Sequence, residues 1–213
     1  MKKLYISCIL LVISFTGSAQ YGYRDSNRIG INFGVNQFTL NTSNFQTKPK
    51  LGWNGGLSIR GNFYNNWDMV YAIQFSENNF SVATKSKFLA NEDVNLKLAS
   101  AQISLQLSYI LVENVLSIEF GPIVQVGGKF KSEYDKENNS ISGTTLLVKD
   151  IEDISKFNFY PTIGLTAGVK HFRFNVSYQY GVNNMLGNLN SKNLGYDFKG
   201  NPGIINGNIL LYL

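Results

Sequence analysis

The sequence is short of cysteine, histidine and charge, and each shortage excludes a class. One cysteine, Cys8, in 213 residues leaves no disulfide framework and no thiolate metal site. One histidine, His171, allows neither a paired-histidine motif nor a zinc signature. Charged residues make up 15% of the chain, against roughly 25% in an average soluble domain. A disordered chain would need more charge and fewer aromatics than the 14% found here. Apolar runs of about 20 residues, the mark of helical membrane spans, are absent. Lysine and arginine are scattered, so no basic stripe points to a nucleic acid. Gly127-Gly128 opens no helix and is no nucleotide loop. Mean hydropathy is −0.09, so a chain this poor in charge is not greasy either.

The first 19 residues read as a signal peptide: Lys2 and Lys3, then the apolar Leu4 to Phe15, then the small residues Thr16, Gly17, Ser18 and Ala19. A permanent membrane anchor is the other reading of this run. Cleavage after Ala19 removes Cys8 and two of the 19 basic residues, leaving 17 against 14 acidic ones.

From Gln20 onward the chain alternates apolar and polar residues, the period of a strand. Eight stretches stand out. They are built around Ile29–Val35, Leu57–Phe63, Trp67–Phe75, Ala101–Tyr109, Leu116–Val126, Phe157–Val169, Phe172–Tyr180 and Ile205–Leu213. Connections near 64–66, 111–114 and 170–171 are short, whereas those near 41–50, 77–95, 131–155 and 186–201 are long. Strict short–long alternation predicts one all-β domain over 20–213, an eight-stranded antiparallel up-and-down barrel. Pro122 and Pro161 fall inside two of the strands and predict a bulge or a strand end there.

Two environments suit such a barrel. A soluble, lipocalin-like barrel turns its apolar set inward and shows water a face rich in lysine and glutamate. Here the polar set in mid-strand is Ser, Asn, Gln, Thr and Gly, which suits a narrow lumen. Aromatics also fall into two groups. Tyr64, Trp67, Tyr109 and Phe172 lie near the short turns, and Phe38, Trp53, Phe75, Phe130, Phe157 and Tyr180 near the long loops. Two such belts are what the two membrane–water interfaces select. The expectation is therefore a transmembrane barrel, apolar side out.

Four charges break the polar face near the short turns: Arg60, Asp68, Glu119 and Arg173. An eight-stranded interior is just wide enough for side chains, so these charges are expected to pair and plug the lumen. A proton or ion path is the alternative use of the same residues. The long segment Lys131–Lys156 carries Glu133, Asp135, Glu137, Asp150, Glu152 and Asp153, with no glycine where an EF-hand would need one. It reads as a solvated loop, the first candidate for a partner surface and one that the barrel can lose. His171 in a tight turn is badly placed for catalysis. No catalytic, metal or cofactor site is expected.

Several segments carry a family resemblance: Ser18-Ala19-Gln20, Ser104-Leu105-Gln106-Leu107-Ser108-Tyr109, Phe120-Gly121-Pro122-Ile123-Val124, Ile163 to Val169 and Tyr178 to Asn184. The chain resembles the PorT-like outer-membrane β-barrel proteins of Bacteroidetes. That likeness implies a place in the outer membrane, with long loops extracellular and short turns periplasmic. It also implies insertion by the barrel-assembly machinery among lipid and lipopolysaccharide. Some such proteins are linked to secretion and gliding complexes, so a structural or interaction role beside one of them is the leading expectation. A narrow pore or a small-ligand-binding barrel is the second.

Overall fold

The computed structural model describes residues 27–86, 90–192 and 194–213. The expected signal peptide and Cys8 lie outside them. Eight long strands form the ring: β1 (Arg28–Thr42), β2 (Thr47–Tyr64), β3 (Trp67–Lys85), β4 (Asn91–Val112), β5 (Leu116–Gly127), β8 (Phe157–Gly168), β9 (Phe172–Tyr180) and β10 (Gly200–Tyr212). Each pairs antiparallel with its chain neighbour, and β10 closes onto β1 from Gly30↔Tyr212 to Thr42↔Gly200. Two short strands, β6 (Lys131–Ser132) and β7 (Ser140–Ile141), add to the rims of β4 and β3.

The short turns use asparagine where the backbone turns left-handed, Asn65 at φ 46° and Asn114 at φ 56°. At the other end the strands overshoot the expectation. The segments 41–50 and 77–95, expected as loops, are mostly strand, and β3 and β4 run for 19 and 22 residues. Their polar outer residues imitate a loop in composition, while the inward Phe80, Val82, Val94 and Leu96 continue the alternation.

The two faces exchange character along the barrel. Next to the short turns Ile31, Phe33, Ile73, Ile163 and Val176 point outward, and Asn32, Ser58, Ser108 and Thr166 point inward. An outward apolar band of this kind belongs in lipid, where a closed ring satisfies every backbone group internally. Beyond Val35 in β1 the rule reverses, with Gln37 exposed and Phe38 and Leu40 buried. Phe38 and Phe130, expected in the outer aromatic belt, are interior residues at 0% and 1% exposure, because Phe38 shares its side of the strand with Asn36. Trp53, Phe75, Phe157 and Tyr180 do face out. At the opposite end Trp67 packs on Tyr109 and Phe120 at centroid distances of 4.8 and 5.9 Å.

Pro122 and Pro161 sit neither at a bulge nor at a strand end. They face each other across β5 and β8, with continuous register on both sides. Two prolines can pair only at a non-hydrogen-bonded position of the ladder, where neither nitrogen is asked to donate to the partner strand. On its other edge, β5 skips pairing with β4 at 121–122, and β8 pairs with β9 only from Thr162 onward.

Glycine is required where the ring is tightest. A Cβ on Gly56 would collide with the Ile73 carbonyl oxygen and lie 2.7 Å from Gln74 Cα, whereas one on Gly207 meets nothing within 4 Å. Gly56→Ala is expected to cost about 1–3 kcal/mol, and Gly207→Ala close to nothing. Urea titration of the refolded protein in detergent compares the two directly.

Candidate functional site

The lumen is the site the sequence singled out, and three layers fill it. The lowest is ionic. Strand register lines up Asp68 of β3, Ser108 of β4 and Glu119 of β5 in one row, through Asp68↔Ser108 and Ser108↔Glu119. Arg60 of β2 reaches this row from inside the ring. Its Nη1 donates to Ser108 Oγ at 2.8 Å and to Asp68 Oδ2 at 3.3 Å, and its Nη2 donates to Glu119 Oε1. Asn175 Nδ2 donates to the second Glu119 oxygen at 3.1 Å. One planar guanidinium thus holds two carboxylates, the task its fork geometry suits. Arg173, the fourth expected member, is buried in the same end of the lumen but makes no ion pair among the described residues. Arg60 takes both carboxylates.

Above lies a belt of amides. Gln102 Nε2 donates to Gln125 at 2.8 Å and to Gln179 at 3.1 Å, Gln74 donates to Asn32 at 2.9 Å, and Asn54 to Asn206 at 3.2 Å. A polar cavity of about 40 Å³ remains between this belt and Glu119.

The top layer is apolar. Phe80 stands between Phe38 and Phe130, at centroid distances of 5.6 and 4.8 Å. Segment 128–156 folds over them and buries Ile141, Leu146, Val148, Ile151 and Ile154, and segment 181–199 adds Met185, Leu186, Leu189 and Phe198. The stretch read as a dispensable solvated loop therefore supplies five of the 21 buried residues of a hydrophobic core. Its signal was present in the sequence as apolar residues of opposite parity, Leu96 and Leu98 against Ile103 and Leu105.

The acidic residues of this segment stay on its surface and do not converge. Glu133 pairs with Lys136 at 2.8 Å and accepts from Asn95 at 3.0 Å; these contacts hold its carboxyl below the usual carboxylate range. Asp150 accepts from the Leu147 amide at 2.9 Å, Glu152 from Ser132 at 2.8 Å, and Asp153 lies 3.6 Å from Lys129. Asp135 is exposed, and Glu137 holds the Lys149 amide through its main-chain oxygen. Among the described residues no group of three or more His, Cys, Asp and Glu could hold a metal.

Comparison with known proteins gives the chain its kin. A family model described as outer membrane protein beta-barrel domain matches residues 18–187. Among solved structures, Neisserial surface protein A is similar at 8% identity and a TM-score of 0.51, covering 86% of this chain and 96% of that one. Ail of Yersinia pestis is 15% identical with a TM-score of 0.46, covering 88% and 99%. OprG of Pseudomonas aeruginosa is 8% identical with a TM-score of 0.42, covering 91% and 97%. No curated protein matches. At these identities the likeness is one of fold. A family match over most of its length, joined to a closed ring with an apolar band outside, makes the chain a member of the outer membrane protein beta-barrel domain family.

Proposed function

We propose that this outer-membrane barrel is a closed structural and interaction component, which offers its folded distal cap to a partner and conducts nothing. The observation that carries the reading is the lumen stoppered twice, by the Arg60 cluster at one end and the apolar core at the other. In its finer form the protein is an accessory of a secretion or gliding complex, as the PorT-like segments imply. The leader-like residues 1–19 support export, and the short turns support a periplasmic placement of that end, with the cap extracellular. Lipid, lipopolysaccharide and the barrel-assembly machinery are then its obligatory surroundings. In planar bilayers the unmodified protein is expected to show no stable conductance steps; reproducible steps would overturn the reading in favour of a narrow pore. Copurification from membranes in mild detergent identifies the partner.

A further inference from the structure

We infer that a row of lysines on the outer wall, Lys50, Lys97 and Lys131, binds a phosphate group of the lipopolysaccharide around the barrel. The inference rests on the extracellular placement of the cap proposed above. Strand register builds the row. Lys97 of β4 stands opposite Asn79 of β3 on one side and Lys131 of β6 on the other. Asn79 Nδ2 donates to the Leu51 carbonyl at 3.0 Å, which brings Lys50 of β2 to the same level. All three lysines are exposed. With neighbouring strands about 4.8 Å apart, the row spans about 14 Å of the outer face.

Like charges directly opposite each other on one face destabilise a strand pair. β6 has only two residues, and one of its two pairings sets Lys131 against Lys97. An anion held between them turns that repulsion into attraction. The carboxylates nearby leave the row in excess. Glu77 lies 3.7 Å from Lys97, whereas Glu133 is 2.8 Å from Lys136 and Asp93 is paired with Lys48. Lys50 donates to the neutral side chain of Asn95. Lys131 makes no ion pair among the described residues. The height of the row selects the anion. Leu51, Trp53 and Phe75 point outward just below it, at the edge of the apolar band. Lysines at that boundary lay their stems along the apolar surface and hold their ammonium groups where lipid phosphates lie.

The test is titration of the detergent-folded protein with purified lipid A, the phosphorylated glycolipid end of lipopolysaccharide, read by native mass spectrometry. The expected result is saturable binding, about tenfold weaker in the double variant Lys97→Gln, Lys131→Gln. Lipid A stripped of its phosphates should bind as weakly. Bound lipid A should also slow hydrogen exchange at residues 96–97 and 131–132, where it holds β6 to β4. Without lipid, Lys131→Gln should unfold at the parent's temperature or above it, since it relieves the repulsion; its weaker binding is then no sign of misfolding. Lys149→Gln, on the cap and bonded to Asn138 at 3.0 Å, is the control and should bind as the parent does. Undiminished binding by the double variant or of phosphate-free lipid A would overturn the inference. So would equal protection of 131–132 by inorganic phosphate or by phosphatidylglycerol. A membrane-impermeant thiol reagent applied to intact cells carrying Asp135→Cys tests the placement separately. A cap left unlabelled there would overturn the placement, and lipopolysaccharide as the ligand with it, while the titration alone judges the row.

Discussion

Arg60→Met should lower the unfolding free energy by about 3–5 kcal/mol, because it leaves two carboxylates buried without their shared cation. Methionine keeps the length and apolar stem of the side chain, so the loss isolates the guanidinium. Asp68 and Glu119 are 1% and 4% exposed, so the closed ring gives them little water in place of the lost cation. Urea unfolding of the refolded barrel should show a lower midpoint with an unchanged slope, the signature of stability lost without a change in the surface exposed. Arg60→Lys should fall in between, since a single ammonium cannot fork toward both carboxylates and Ser108. The triple variant Arg60→Met, Asp68→Asn, Glu119→Gln should recover most of the loss, since removing a whole buried ionic group is often near neutral. A single Arg60→Met as stable as the parent would show that the cluster merely fills space.

The second large effect is expected at the opposite end. Phe80 is fully buried at the centre of the aromatic trio, and Phe80→Ala should cost about 3–5 kcal/mol through lost contacts and a cavity. The damage should be local to the cap. The membrane band is held by its own ladders, so the folded barrel should keep its migration on unheated gels while protease cuts within 128–156. Phe75→Ala is the control, since Phe75 is 61% exposed on the outer face. Protection from protease equal to the parent's would mean that the cap does not depend on this core. Removing 133–152 outright should act more strongly still, because it takes Ile141, Leu146, Val148 and Ile151 away from the faces they cover.

How much of this was legible follows from what a period can say. Alternation marks a strand whichever face is apolar, so eight strands and their order could be read from residues such as Ile29–Val35 and Phe172–Tyr180. The ionic row was legible too, since charges among uncharged polar neighbours stand out; which arginine would take the carboxylates was not, because that depends on register between strands distant in sequence. The cap was missed for a different reason. In β3 the apolar set is odd-numbered up to Phe75 and even-numbered from Phe80, and between them lie Ser76, Glu77, Asn78 and Asn79. Read as composition, that interval looks like a loop. Read as parity, it is the level at which one surrounding medium gives way to another. The prolines misled because a rule about single prolines does not foresee two that excuse each other.

The doubly stoppered lumen also dictates an order of assembly. A chain delivered to the membrane from one side must carry one end of the barrel across, and the long β3–β4 hairpin brings Lys85, Glu92 and Asp93 with it if that end is the cap. The finished ring has no interior passage for them, with Arg60 below and Phe80 above. With the cap as the end that crosses, translocation has to precede the pairing of β10 with β1.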